Sequence, residues 1–215
     1  MQLTPTQNVA VDLLILALDR THNTVKLFTP TREDSKKKAL PGVLLTPNES
    51  ISHAVQRTLD TKTNLSQLSY RLQELPAQTD PYRDPRGHVI SVPILVFLAE
   101  HINLSNDWST FEPGLDLDFD HTTMVNKAFN ILAQNWEHYP LPLLLAGKSI
   151  TLEETRDLLA HFQPQYAKTL PSNLRHMTFV QSFLKETNVL RATTKKGRPP
   201  RCYTVLADDI KPLYA

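Results

Sequence analysis

One predicted helix carries polar side chains at a spacing that would suit metal or phosphate chemistry. Residues 50–62 follow the apolar rhythm of an amphipathic helix, and Thr58, Thr61 and Lys62 share a second face, because residues three and four apart are neighbours. Carboxylates on such a face would hold a divalent cation, which could neutralise a diphosphate and activate water. Two hydroxyls and an ammonium group cannot hold a cation, whereas the fixed charge of Lys62 can hold a phosphate.

The segments before this helix bear on whether it faces a site at all. Taken alone, the helix is best explained as an ordinary amphipathic segment with a solvated polar face. The tripeptides LPG (residues 40–42) and NES (residues 48–50) add a tight entry and a turn immediately before it. With them, the pattern favours a functional site over an ordinary solvated face, and the missing carboxylates favour binding of a ligand over cleavage of a bond.

The composition is that of a globular chain with no strong overall charge. The 215 residues suit one or two domains, 40% of them are hydrophobic, and the formal net charge is +1. Cys202 is the only cysteine, which excludes a disulfide or a zinc pattern within one chain, and we expect it to be a small buried residue. The N-terminus lacks a secretory pattern, and the apolar run Val9–Leu18 is too short for a membrane span. We expect a cytoplasmic protein with no membrane contact, no metal and no resident cofactor.

Charge is distributed unevenly along the chain. Residues 1–140 contain 12 Lys and Arg against 16 Asp and Glu, a net charge of −4, whereas residues 141–215 contain 11 against 6, a net charge of +5. This asymmetry predicts two functions, with an anionic partner for the second part.

The first part contains the pattern of a sheet. The apolar run at residues 9–18 predicts a central strand, Val25–Phe28 a returning strand, and residues 89–99 a long apolar strand in which Pro93 suggests an edge or a bulge. Arg83 and Arg86 precede this last strand, where a scaffold often displays binding groups, although a solvated turn is the simpler alternative. A helix of about three turns follows residue 119, and HYPLP (138–142) marks a domain boundary.

The last 75 residues have the pattern of two helices followed by a basic hairpin. Thr151 and Glu154 match a capping box, and a second helix is predicted over residues 172–187. This order of elements is typical of a winged helix, whose second helix enters the major groove of DNA while the hairpin lies on phosphates. The candidate DNA contacts are Arg175, Thr178, Ser182 and Lys185 on the helix, and Lys195, Lys196, Arg198 and Arg201 on the hairpin. A solvated, solubilising hairpin is the alternative.

Several of these segments together resemble the Nudix-related transcriptional regulators, a family that includes repressors of NAD metabolism and sugar-linked relatives. The resemblance covers essentially the whole chain through AVDLLI, the LPG and NES segments, DPRGHVISV, FDH at 119–121 and GRPPRCYTV. Glu49 and Arg57 fall on the first acid and the arginine of the Nudix box. The chain departs from the box at both glycines and at three later glutamates, which become Val43, Asn64, Thr58, Thr61 and Lys62.

The resemblance implies an α+β fold and a sensory function. It implies a Nudix-type mixed sheet between helices in residues 1–139, a winged helix-turn-helix in residues 140–215, an effector such as ADP-ribose, a DNA operator and a homodimer. The candidate effector contacts are Arg32, Glu49, Arg57, Arg83 and Arg86, because arginine forks suit a diphosphate. Two alternatives remain open: a Nudix hydrolase of ADP-ribose-type compounds, and an interaction module whose winged helix contacts protein.

Overall fold

A mixed six-stranded sheet forms the first half of the protein. The structure is a computed structural model that describes residues 8–85, 87–99, 102, 104–134, 136–192 and 199–213. The strands are β1 (Asn8–Asp19), β2 (Thr24–Phe28), β3 (Gly42–Leu44), β4 (Tyr70–Glu74), β5 (Val89–Leu98) and β6 (Trp108–Thr110). Their order is β4-β5-β1-β2-β6, and β3 also pairs with β1. Only the β1–β5 pair is parallel, so the expected mixed sheet is confirmed.

Strand β1 is buried on both faces, because each face carries a helix. Its odd-numbered residues from Val11 to Ala17 pack against α1 (Ile51–Lys62), which begins at the Ser50 cap. Its even-numbered residues from Leu14 to Leu18 face α2 (His121–Ala133). Alternation between two buried faces explains why β1 is a continuous apolar run.

Pro93 lies inside β5, at an irregularity in the pairing on the β4 side, where four steps from Glu74 to Gln78 oppose three from Ile94 to Ser91, so the expectation of a bulge is confirmed. Strand β5 has β1 on one side and β4 on the other, and Asp12 and Pro93 are in register. The carbonyl of Pro93 accepts a hydrogen bond from the Leu75 amide at 2.9 Å. Its nitrogen faces that same side, where regular pairing stops between Glu74 and the isolated bridge from Gln78 to Ser91. The missing N–H therefore costs no ladder hydrogen bond.

The second half contains a small sheet packed on short helices. After a 3₁₀ turn (Leu141–Ala146), the elements are β7 (Ser149–Thr151), α3 (Leu152–Phe162), a 3₁₀ turn (Pro164–Tyr166), α4 (Pro171–Leu174), α5 (Thr178–Phe183), β8 (Leu184–Leu190), β9 (Arg201–Val205) and a 3₁₀ turn (Ala207–Asp209). The strand order β7-β9-β8 places a hairpin beside the first strand, as in a winged helix. The capping box of Thr151 and Glu154 is confirmed, and Cys202 is buried as expected.

A single helix over residues 172–187 is not present, so that prediction was wrong. The chain turns at residues 175–177 between α4 and α5, and Leu184 already begins β8. Phe179 explains the break: it is fully buried against Trp136, with ring centroids 5.4 Å apart. In one continuous helix, Phe179 and the buried Leu174 would point about 140° apart at 100° per residue, so both could not enter one core.

The two halves share a hydrophobic core. One cluster of buried side chains includes Leu16 of β1, Leu132 of α2, Leu143 of the 3₁₀ turn and Leu158 of α3. The cluster crosses residue 139, and the division of the chain at 139/140 therefore stays a prediction. None of the helices in the described ranges is long and apolar enough to cross a membrane.

Candidate functional site

A cavity of about 760 Å³ opens beside β1, between the loop that contains residues 30–34 and the end of α1. Residues from well-separated parts of the chain line it, including Asp12, Arg32, Leu40, Gly42, Lys62, Arg83, Phe119 and His121. The volume falls within the range of small-molecule sites. Two of the predicted effector contacts, Arg32 and Arg83, line this cavity. Thr61 and Lys62 of the Nudix-like segment line it as well.

Asp12 is a buried carboxylate on the wall of the cavity. It is 6% exposed, although it lies in an otherwise apolar strand. Ser91 donates a hydrogen bond of 2.5 Å to its Oδ2, and Arg83 Nη2 lies 3.6 Å from the same oxygen. Gly42, which is paired with Asp12 across the β1–β3 ladder, leaves space for the carboxylate. Burial of a charge is tolerated here because a cation and a hydroxyl compensate it.

Arg83 is paired with the carboxylates of Asp120 and Asp12. Its side chain is 5% exposed, and its Nε and Nη2 donate to Asp120 at 2.9 and 2.7 Å. This fork-to-fork geometry is the strong form of an ion pair. Arg83 therefore organises the wall of the cavity, through two hydrogen bonds to Asp120 and an ion-pair contact with Asp12.

His121 begins α2 beside the same cluster. The Leu40 amide donates to its Nδ1 at 2.9 Å, so the proton of the neutral ring is on Nε2, which lies 3.8 Å from Asp12 Oδ1. Burial lowers the pKa of His121 below its usual value, although the carboxylates of Asp12 and Asp120 oppose that shift. The neutral ring of His121 accepts from the Leu40 amide, and this hydrogen bond ties the LPG segment to the start of α2.

Arg32 lies at the opposite wall, in contact with acids and an aromatic ring. It donates to Asp34 through Nε at 2.9 Å and also through Nη2, and its Nε lies 3.3 Å from Asp118. The guanidinium carbon lies 4.5 Å from the centre of the Phe119 ring. The hydrogen bonds from Arg32 lower the pKa of Asp34 to about 2.

Glu49 and Arg57 form an ion pair behind the cavity. Arg57 donates to both carboxylate oxygens at 2.7 Å and to the carbonyl of Leu44 at 2.8 Å. The hydrogen bond from Arg57 is the main cause that lowers the pKa of Glu49 to about 2. The pair fixes the loop between β3 and α1, and Leu44 in turn lines the cavity. Neither Glu49 nor Arg57 is among the lining residues, so their link to a ligand stays a prediction.

The three box positions without acids have different surroundings. Thr58 is fully buried and donates to the carbonyl of Ala54 at 2.6 Å, whereas Thr61 is exposed and donates to the carbonyl of Arg57 at 2.7 Å. Lys62 is exposed at the end of α1. Within the described ranges, no group of three or more His, Cys, Asp and Glu side chains could hold a metal ion.

The candidate DNA contacts in the described part of the second half are all exposed. Thr178 and Ser182 are one turn apart on α5, Arg175 lies in the turn before it, and Lys185 lies on β8. They therefore occupy three elements instead of the predicted single helical stripe. Arg201 begins β9 and pairs with Glu186. Four of the predicted residues lie outside the described residues: Arg86, Lys195, Lys196 and Arg198.

Four residues in or next to the cavity wall were not predicted as site residues: Asp12 and His121 line the cavity, and Ser91 and Asp120 contact Asp12 and Arg83 behind it. Asp12 had a usable signal, because an acid inside an apolar strand requires a buried partner. Asp120 and His121 belong to the FDH segment, which contributed to the family resemblance only. The partners lie 37 to 81 positions apart along the chain, so no local pattern joins them.

Comparison with known proteins supports the family resemblance found in the sequence. The ADPR responsive transcriptional repressor NtrR of Acinetobacter baylyi is 26% identical over 221 residues, which cover 95% of this chain and 84% of the relative. The chain is thus similar over nearly its whole length to a transcriptional repressor of the family that its sequence motifs resemble. No protein-family model matches it.

Two solved structures share the fold across both halves of this chain. A MutT/nudix family protein from Enterococcus faecalis superposes with a TM-score of 0.74 at 23% identity, covering 93% of this chain and 88% of the other. NrtR of Shewanella oneidensis, crystallised with a 27mer DNA, superposes with a TM-score of 0.73 at 20% identity, covering 94% and 95%. The fold class, a Nudix-type mixed sheet joined to a winged helix, is thereby confirmed.

Proposed function

We propose that this protein is a ligand-responsive transcriptional repressor, in which the cavity beside β1 binds ADP-ribose or a related nucleotide-sugar and the second half binds an operator. The observation that carries the proposal is the match of nearly the whole chain to NtrR, named as ADPR responsive, together with a cavity of suitable volume in the first half. We place its action in the cytoplasm, as a homodimer, because paired half-sites on DNA suit a twofold assembly.

The cavity supplies both kinds of contact that a nucleotide-sugar needs. Carboxylates such as Asp12 and Asp34 accept hydrogen bonds from sugar hydroxyls, and cations such as Arg32 and Lys62 attract the diphosphate. The ring of Phe119 adds an aromatic face at the wall. Arg83 supports this site through Asp12 and Asp120, while Glu49 and Arg57 fix the loop that borders it.

Sensing in place of hydrolysis follows from the same wall. Thr61 and Lys62 face the cavity where the family's acids would hold a cation, and a hydroxyl and an ammonium group do not bind one. Without a metal to activate water, the bound diphosphate would persist as a signal. We therefore assign the site to binding and not to turnover.

A contact between the two halves offers a route for the signal. Arg20, one residue beyond β1, donates to Glu154 at 3.1 Å and to the carbonyl of Ala146 at 2.6 Å. The other oxygen of Glu154 accepts from Arg191 at 3.2 Å, just before the basic segment. A ligand that favours one arrangement of this contact would change operator affinity by that difference in binding free energy.

The DNA contacts follow from the winged-helix arrangement. We assign base and phosphate contacts to Arg175, Thr178 and Ser182, and phosphate contacts to Lys185 and Arg201, together with Lys195, Lys196 and Arg198 of the basic segment. Phosphate contacts release counterions, so binding should weaken steeply as salt is raised.

A gel-shift titration tests the proposal. The probe is the DNA upstream of the protein's own gene, at two salt concentrations, with and without ADP-ribose, and adenosine serves as the control lacking phosphate. Specific, salt-dependent binding that ADP-ribose changes and adenosine does not change is the expected result. Absence of binding beyond competitor DNA, or hydrolysis of ADP-ribose with magnesium, would contradict it.

A further inference from the structure

Among the described residues, three cations line the cavity, and their surroundings differ sharply. Arg83 is buried and committed to Asp120 and Asp12, and Arg32 contacts Asp34, Asp118 and Phe119. Lys62 is exposed, and no carboxylate in the described part of the chain lies within 4.0 Å of its ammonium group. Lys62 is therefore the cavity cation whose charge is least compensated by neighbouring acids.

The charge balance of the cavity makes this difference important. Asp12, Glu33, Asp34 and Asp84 line the wall together with the three cations, so the cavity has no excess of positive charge. An anionic ligand would meet repulsion from these acids unless one cation remained available to it. Arg32 and Arg83 already share their charge with neighbouring acids, so each attracts an anion less strongly than Lys62 does.

We propose that the ammonium group of Lys62 binds the diphosphate of the effector directly, in the place of a divalent cation, so that effector binding is independent of magnesium. This inference rests on the proposed function, because it takes a nucleoside diphosphate as the ligand. Lys62 follows Thr61 on the cavity side of α1 and extends the same wall. An ammonium group acts there as a fixed point charge with three donors, which suits phosphate oxygens.

A purely structural role for Lys62 makes a different prediction. Lys62 lies in the last turn of α1, where a cation offsets the partial negative charge of the helix end. Loss of that effect would lower the stability of the protein without acting on the ligand in particular. Affinity and thermal stability, measured on the same variants, therefore separate the two roles.

Calorimetric titration of the full-length protein with ADP-ribose is the test, run with EDTA and again with magnesium chloride. The wild type should bind with the same affinity in both conditions. Lys62→Met should weaken ADP-ribose binding about tenfold, the size expected for one solvent-exposed charge-assisted hydrogen bond. Lys62→Arg should retain most of the affinity. Lys211→Met removes the same charge from an exposed site that does not line the cavity and should change nothing.

Three results would overturn the inference: wild-type affinity that is lost in EDTA, Lys62→Met affinity equal to wild type, or no binding of ADP-ribose by the wild type. A loss of affinity in Lys62→Met matched by an equal loss in Lys211→Met would also overturn it, because general charge would then be the cause. Failure of the proposed function gives a different result. In that case binding would depend on Lys62 while operator affinity stayed unchanged by ligand.

Discussion

Replacing Gly42 by alanine tests the close contact between β3 and the buried carboxylate of Asp12. A Cβ atom added at Gly42 would lie 2.1 Å from Asp12 Oδ1 and 2.8 Å from the carbonyl of Val11. Both distances are shorter than real Cβ atoms tolerate. The carboxylate cannot simply rotate away, because its other oxygen accepts a 2.5 Å hydrogen bond from Ser91 and Arg83 lies beside it.

The sign of the effect distinguishes this account from the usual behaviour of glycine. Gly42 has no left-handed backbone angle, and Gly→Ala at such a position normally stabilises a protein by about 0.4–1 kcal/mol. Here the clash should reverse the sign. Overpacking costs about 1–3 kcal/mol, and a weakened charge-assisted hydrogen bond adds about 1 kcal/mol. We expect a loss of about 3 kcal/mol, which corresponds to a fall in Tm of about 6–12 °C for a chain of this size.

Urea unfolding of four proteins provides the assay: the wild type, Gly42→Ala, Asp12→Ala and the double variant. Gly42→Ala should cost less in the Asp12→Ala background, because the shorter of the two clashes is then gone. Leu44→Ala, at an exposed position two residues along β3, should change stability by about 0.5 kcal/mol or less. Gly42→Ala as stable as the wild type, or equally harmful in both backgrounds, would refute the account of this contact.

Three further predictions concern other parts of the chain. Glu49→Gln should lower stability most at neutral pH. The folded pKa of Glu49 is about 2 against an ordinary 4.5, so the stability contributed by its pair with Arg57 is fully present above pH 4.5 and disappears as the pH falls toward 2. Urea unfolding across that range should show the difference in stability between the variant and the wild type shrinking. Phe179→Ala should cost about 3–5 kcal/mol, measured in the same way, and a cost below 1 kcal/mol would favour a continuous helix in which this side chain is exposed. Arg175→Ala should leave Tm unchanged but reduce the salt slope of operator binding by about one, and an unchanged slope would place Arg175 off the DNA.

Local patterns were sufficient to predict most of the elements. Alternation and apolar runs located β1, β2 and β5, and helical spacing located α1, α2 and α3. The failure at residues 172–187 had a physical cause, because a continuous helix would place Phe179 about 140° from Leu174, and both side chains are fully buried. The burial of the large Phe179 ring therefore requires a turn between α4 and α5. Propensity along one segment cannot show which side chain the rest of the core will accept.

The cavity was harder to predict than the fold, because its wall is assembled from distant segments. Arg32 and Arg83 were expected on the basis of charge at loop positions, and both line it. Their partners Asp12, Asp118 and Asp120 were not expected. An arginine in a sequence looks available for a ligand, and only the structure shows whether a carboxylate already occupies its donors. A site with several arginines is therefore not always a site with a net positive charge, because neighbouring carboxylates can offset them.

The segment that resembles a Nudix box contains both positions that maintain the fold and positions that line the cavity. Glu49, Arg57 and Leu59 match the family pattern, and each has a structural role here: the first two form the ion pair that fixes the loop after β3, and Leu59 is fully buried against β1. Of the three acid positions that depart from the pattern, Thr61 and Lys62 line the cavity, whereas Thr58 is buried and donates to the backbone of its own helix. Substitution of a cavity-facing residue costs little folding free energy, since no buried contact is lost. Selection on the chemistry of the cavity can therefore change Thr61 and Lys62 while the ion pair and the helix packing keep the box recognisable, as the proposed sensing function requires.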